Sequence, residues 1–348
     1  MRSEGPIRWG ILGCGDVARR RVATAIAEDR GSRLVAACRR DAIALEEFCN
    51  DFGVPRGYTD EADLIGDADI DAVYIATPVD RHLPQTLACA AAGKHVLCEK
   101  PMAMSIEECD RMIAACDTAG VTLGLAYYRR FYPVVDRIRE LIAEGRIGRV
   151  FSITAVTATP FEFRPGEDGY WRVVLEEGGG GALMDVGSHR LNLFLDLLGP
   201  ITDVSGYCDT IAGDFSADDA AVLCVRFASG ALGSLQCYFG VPVDPDEFVV
   251  VGTGGRLVAT PLNSGELVIE TAEGIETESH PPAANFNLPL VRDFVEAIAQ
   301  DRAPRVSGPE GRATNEVIAR GYGLGLPLMS TKKTGPDSRG DPALLALW

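Results

Sequence analysis

The sequence predicts a two-domain α/β protein. The first domain is a helix-covered parallel sheet, and the second is an α/β domain built mainly from short antiparallel strands. Three observations carry this. Strand-like and helix-like segments alternate strictly from residue 7 to 126, which requires right-handed crossovers and a parallel sheet. The run Gly13-Cys14-Gly15-Asp16-Val17-Ala18 stands where the first strand gives way to the first helix. After Tyr127 the rhythm changes to short strands separated by glycine-centred turns, such as Ser229-Gly230 and Gly254-Gly255. A chain of 348 residues accommodates both domains, over 1–126 and 127–330, with a polar tail over 331–348.

In the first domain the apolar run 7–12 predicts a strand, and 16–28 an amphipathic helix. Strands follow at 34–38, 71–76, 95–98 and 121–126, with helices at 42–52, 83–92 and 105–119. Ser105 and Glu108 form a capping box at the start of the last of these helices. The second domain opens with a helix over 133–144 and a strand over 150–157, then a loop rich in Pro, Gly and acids up to Gly181. A helix over 182–198 precedes strands at 201–208, 219–227, 231–239, 247–252, 256–260 and 267–271. Helices over 287–299 and 309–324 close the ordered part.

Composition removes several classes of function. A net charge of −17, with no basic stripe interleaved with aromatics, argues against nucleic acid as a partner. No apolar run reaches about 18 residues, so no membrane span is expected. Residues 1–9 hold no apolar segment of the kind found in secretory signals. The ten cysteines form no CxxC pair and the four histidines show no ligand spacing. A reducing cytoplasm and no bound metal are therefore expected.

The glycine run is the GxGxxA form of a dinucleotide fingerprint. Gly13 permits the tight turn and Gly15 lets a pyrophosphate approach the backbone. Asp16 and Val17 open the helix whose amides face the phosphate, and the small Ala18 lets that helix pack on the strand. The second strand ends in Cys38-Arg39-Arg40, with the first acid only at Asp41. A carboxylate there would suit the ribose hydroxyl of NAD(H), whereas guanidinium groups suit a 2′-phosphate, so NADP(H) is the expected preference and NAD(H) the alternative. Thr77, Pro78 and His82 follow the third long strand, where a loop lines a cofactor's ribose and nicotinamide or is simply a turn before a helix.

Glu99-Lys100-Pro101 ends the strand 95–98. Ligands bind beyond the carboxyl ends of such strands, and a lysine held there needs partners. Asp185 and His189 lie four apart in a predicted helix and so share a face; histidine is the commonest general base. Gly187 between them weakens the helix by about 1 kcal/mol, which points to a close approach by a ligand or another backbone.

With these residues assembled, the sequence resembles the Gfo/Idh/MocA oxidoreductase family. The markers are Gly13 to Ala18, Ala76-Thr77-Pro78 with His82, the run from Ala92 to Pro101, Arg130-Phe131 with Pro133, and Gly179 to His189. The resemblance implies a Rossmann domain followed by an α/β domain with a large open, mostly antiparallel sheet, whose face commonly makes a dimer or tetramer. It places the family's catalytic lysine, aspartate and histidine on Lys100, Asp185 and His189, and permits a cis bond before Pro101. The implied activity is NAD(P)-dependent hydride transfer between nicotinamide and a secondary alcohol or ketone of a sugar, polyol or related diol. NAD-dependent glycoside cleavage and a non-catalytic cofactor sensor are the alternatives. The family pattern puts Tyr128, Arg130 and Asn192 at positions that can face substrate; Asn192 stands where inositol dehydrogenase-like members carry aspartate, and Tyr128 where many members carry asparagine. Trp171 and Arg172, in the loop before the glycines, could cover nicotinamide and substrate. Glu162, Glu167, Asp168, Glu176 and Glu177 argue against an anionic substrate, provided that they face the site.

Overall fold

The computed structural model describes residues 5–325, so the tail predicted over 331–348 lies outside the described residues. The first domain holds a six-stranded parallel sheet of β1 (Ile7–Leu12), β2 (Ser32–Cys38), β3 (Arg56–Tyr58), β4 (Ala72–Ile75), β5 (His95–Cys98) and β6 (Leu123–Leu125). The strand order is β3-β2-β1-β4-β5-β6. β4 is buried along its whole length, Ala-Val-Tyr-Ile, as a central parallel strand covered on both faces must be. The order reverses between β1 and β4, and a crevice opens at such a switch point beyond the carboxyl ends of the strands.

The second sheet has eight strands: β7 (Val150–Thr159), β8 (Ile201–Asp209), β9 (Ala220–Phe227), β10 (Leu232–Phe239), β11 (Glu247–Gly252), β12 (Gly255–Ala259), β13 (Glu266–Thr271) and β14 (Gly274–Ser279). Their order is β14-β13-β12-β11-β7-β10-β9-β8. Only β7 and β10 pair in parallel; every other ladder is antiparallel. β9 alternates strictly: Ala221, Leu223, Val225 and Phe227 are buried, while Val222, Cys224 and Arg226 are exposed. One face thus packs under helices and the other stays open. The helix Gly308–Gly325 packs on β8, on the helix Ser188–Leu198 and on the first-domain helix Ile106–Ala119. Asn315 on that helix accepts from the Met102 amide and donates to the Ala103 carbonyl, fixing the segment after β5 to the second domain.

The elements not foreseen include β3, the short helices Glu61–Gly66 and Leu175–Gly178, and β14, besides several single 3-10 turns. β3 and β14 are sheet edges, and β14 is almost wholly exposed, so neither carries an apolar run. Two predicted helices are also not regular. The first contains a π-helical turn, Ala18–Val22, before its α-helical part Ala23–Glu28. The helix over 182–198 begins with a π-helical turn, Leu183–Gly187, and becomes α-helical at Ser188. No helix of the described residues is long and apolar enough to cross a membrane.

Candidate active site

The turn after β1 is shaped by its glycines. Gly13 takes φ +91°, and a Cβ there would lie 2.6 Å from the Ala76 carbonyl oxygen, so only glycine lets this turn lie against the end of β4. A Cβ on Gly15 would meet nothing within 4 Å, which leaves that backbone open to an approaching phosphate. Ala18 is fully buried and Val17 packs against the same core, while Asp16 is exposed and pairs with Arg20 at 2.7 Å. Glycine turn, open backbone and parallel sheet together fit a dinucleotide.

Beyond β2, Arg39 donates to the Cys14 carbonyl at 3.0 Å and to Asp168, from the second domain, at 2.9 Å. Arg40 is exposed and has no ion pair among the described residues. The Asp41 carboxylate caps the helix Ala42–Phe52, accepting from the Ile43 and Ala44 amides. The first acid after this strand in sequence is thereby already engaged.

Beyond β4, the Thr77 hydroxyl donates to Gln85 at 2.7 Å, and the half-buried Pro78 starts the turn Val79–Arg81. His82 does not line an open loop as the sequence allowed. It is 1% exposed, with Nε2 3.0 Å from the Thr77 carbonyl and Nδ1 3.0 Å from the Pro101 carbonyl. It braces the loop after β4 against the segment after β5. Burial pushes its pKa down to about 4, against the opposing pull of those carbonyls.

Beyond β5, the Lys100–Pro101 peptide is cis, and Lys100 Nζ meets Asp185. It bonds the Asp185 carboxylate and donates to the Asp185 backbone carbonyl at 3.1 Å. Arg172 Nε stands 3.4 Å from the second carboxylate oxygen. Lys100 and Arg172 hold the Asp185 carboxyl below its usual range despite burial. Glu99 accepts from the Tyr74 hydroxyl at 2.8 Å and from the Lys100 amide at 3.2 Å, and Asn287 donates to that hydroxyl at 3.1 Å. Burial raises the Glu99 carboxyl above its ordinary value.

His189 is 5% exposed, and its Nδ1 has no hydrogen-bond partner among the described residues. Burial, with Arg129 and Lys100 nearby, holds it well below the usual histidine range, so the imidazole is neutral. The expected Asp185–His189 pair is not formed. It assumed regular α-helical spacing, whereas the π-helical turn Leu183–Gly187 turns Asp185 toward Lys100 and Arg172. Gly187 does allow a close approach, though by a side chain rather than a ligand or another backbone: a Cβ there would come 2.9 Å from Cys237 Sγ on β10.

Of the positions thought to face substrate, Tyr128 lies at the site, its ring 5.0 Å from that of His189. Arg130 does not. Its side chain is 7% exposed and pairs with Asp196 and Glu310, each at 3.0 Å. Asn192 is 1% exposed and donates to Thr314 at 2.9 Å, which ties two helices together. Trp171 and Arg172 stack at 4.6 Å and, with Val79, Pro101, Met184 and Asp185, line a cleft beside Lys100. The acids Glu162, Glu167, Asp168, Glu176 and Glu177 are all exposed, and none bonds to Lys100, Asp185 or His189.

Sequence reasoning missed Asp218, Tyr74, Asn287 and Arg129. The Asp218 carboxylate accepts from the Gly181 and Leu183 amides at 2.7 and 2.8 Å and so caps the helix that carries Asp185. Gly181 is required by this close approach, because a Cβ there would lie 1.8 Å from the Asp218 carbonyl oxygen. The glycine run was the available signal for Asp218. Nothing local marked the others.

A family profile described as an oxidoreductase family with an NAD-binding Rossmann fold matches residues 7–127, and the GFO/IDH/MocA C-terminal domain profile matches residues 135–258. The chain is 32% identical over 310 residues to 1,5-anhydro-D-fructose reductase of Ensifer adhaerens, covering 87% of this chain and 92% of the relative. It is 30% identical to D-xylose 1-dehydrogenase (NADP(+)) 2 of Haloferax volcanii, over 89% of this chain and 94% of the relative. The crystal structure of aldose-aldose oxidoreductase from Caulobacter crescentus, complexed with glycerol, superimposes with a TM-score of 0.84 at 29% identity. That match covers 92% of this chain and 97% of the other.

Proposed function

The chain belongs to the Gfo/Idh/MocA oxidoreductase family, and from that premise we propose that it moves a hydride between nicotinamide and a secondary carbinol of a sugar, polyol or related diol, with Lys100, His189 and Asp185 as its catalytic groups. The bound dinucleotide supplies the hydride acceptor or donor. The residues of the β1 turn would hold its pyrophosphate, and Arg39 and Arg40 would favour a 2′-phosphate, hence NADP(H) over NAD(H).

One observation carries the reading: Lys100 Nζ has three donors and Asp185 takes two of them. The third is left for a substrate oxygen, where an ammonium stabilises developing alkoxide charge. Asp185 fixes the lysine's position and keeps it cationic. His189, neutral and within a ring's width of Tyr128, takes the hydroxyl proton at an imidazole nitrogen as the carbon is oxidised, and returns it in reduction. Trp171 and Arg172 cover the cleft and exclude water.

The open face of the second sheet, with Val222, Cys224 and the edge residue Tyr207 exposed, supports assembly into a homodimer or homotetramer. The test of the function is a panel of aldoses, polyols, diols and sugar acids with NADP+ and NAD+, followed by absorbance of the reduced cofactor. Turnover of at least one carbinol, abolished in Lys100→Met, supports the reading. Release of reducing sugar from glycosides without net cofactor reduction would replace it with the glycosidase reading.

A further inference from the structure

The charges around His189 do not balance. Four cations act on it: Arg21, Lys100, Arg129 and Arg190. Lys100 is answered by Asp185, which also faces Arg172, and Arg190 is answered by Asp246. Glu99 lies toward Arg21 but is engaged by Tyr74. Arg129 is bonded to no carboxylate among the described residues: Asp246 and Asp185 act on it, but they are engaged by Arg190 and by Lys100. The Arg129 guanidinium carbon stands 5.0 Å over the Tyr128 ring, its Nε is buried without a hydrogen-bond partner, and it forms no ion pair among the described residues. Arg190 is fully buried, and its Nε and Nη1 are likewise unpartnered. Buried guanidinium donors are costly to leave unmatched, and a planar fork suits a carboxylate.

We propose that Arg129 is the docking point for an anionic substituent of the substrate, so that the preferred substrate is a sugar-series hydroxy acid, an aldonate or uronate. This rests on the hydride-transfer reading above and names its substrate class. The carboxylate binds Arg129 while the reacting carbinol lies between Lys100 and His189. The ring of Tyr128 separates the two functions, since it touches both Arg129 and His189. The exposed acids of the loop over 160–177 do not oppose this, as they point to solvent or, for Asp168, to Arg39. After burial, Arg129 is the largest influence holding His189 down, so an anion beside Arg129 also restores basicity to the imidazole that must accept the proton.

The test pairs each acid with its neutral counterpart: a hexuronate against the parent hexose, and a hexonate against the alditol. kcat/KM is measured with NADP+ for wild type, Arg129→Met and Arg129→Lys, and binding of the same compounds to the cofactor-loaded protein is measured by calorimetry. Wild type should favour the acids by about tenfold or more, the methionine variant should bring the ratio to about one, and the lysine variant should recover part of it. Equal or better use of the neutral partners by wild type, or a preference that survives in Arg129→Met, overturns the proposal. Arg129-dependent binding of the acids with no hydride transfer from any compound to NADP+ upholds the docking site and removes the oxidoreductase assignment of these residues instead.

Discussion

Lys100 and Asp185 are joined twice, through the carboxylate and through the backbone carbonyl 3.1 Å from Nζ. The carbonyl belongs to the π-helical turn Leu183–Gly187. That carbonyl also accepts from the Ser188 hydroxyl at 2.9 Å. A lysine from the first domain is thus positioned by main chain and side chain of the second.

Replacing Lys100 by methionine removes the ammonium and leaves Asp185 facing Arg172. Because that donor acts on charge developing at the substrate oxygen, kcat should fall by about a thousandfold or more. The dinucleotide Kd, read by fluorescence titration, should change little. Asp185→Asn should lower kcat less, since Lys100 keeps its carbonyl partner. Near-normal turnover in Lys100→Met would remove the lysine from the chemistry.

The cofactor preference is separable from catalysis. Arg40 is exposed without an ion pair among the described residues, and Arg39 is held by the Cys14 carbonyl and Asp168. Arg40→Ala should lower kcat/KM for NADP+ by about tenfold while that for NAD+ stays within about twofold. The double variant Arg39→Ala, Arg40→Ala should shift the preference to NAD+. Equal losses with both cofactors would show that the arginines do not meet a 2′-phosphate.

Much of the fold was legible because it rests on local periodicity. β1, β5 and β11 and the helix Ala42–Phe52 have the predicted bounds, and Ser105 caps its helix as its spacing with Glu108 implies. The capping carboxylate departs in one detail, since Glu108 returns to the Met104 amide. The parts of the site that were misjudged depend on partners distant in sequence. Arg130 and Asn192 stand in motifs, but a motif does not reveal that Asp196, Glu310 and Thr314 engage them. The π-helical turns were hidden because over five residues their periodicity cannot be told from that of an α-helix.

Arg130 therefore predicts a stability defect. Removing it leaves Asp196, 10% exposed, with Arg139 as its remaining partner, and leaves Glu310 without its ion pair. Arg130→Met should cost about 1–3 kcal/mol in urea unfolding, below the range for an uncompensated buried charge because Asp196 keeps Arg139 and Glu310 is 38% exposed. kcat/KM per folded molecule should be close to wild type. A variant of normal stability with a raised KM would return Arg130 to the substrate site.

His82 predicts a pH dependence of stability. Its folded pKa is about 4, against about 6.5 in the unfolded chain, so between those values the unfolded state binds a proton that the native state refuses. Stability from this group is fully present above about pH 6.5 and is lost as pH falls toward 4, amounting to about 2 kcal/mol at about pH 5. Paired carboxylates such as Asp71 and Asp185 are also held low and add their own acid loss, so the measurement must be differential. His82→Gln keeps an amide that can donate to the Thr77 or Pro101 carbonyl but does not titrate. Comparing urea unfolding of wild type and His82→Gln near pH 7.5 and near pH 5, the variant should lose about 2 kcal/mol less than wild type between the two conditions. Parallel losses in both proteins would mean that His82 takes up its proton in the native state as it does in the unfolded chain, and a smaller loss in wild type would mean that it is held protonated, bridging the two carbonyls as a cation.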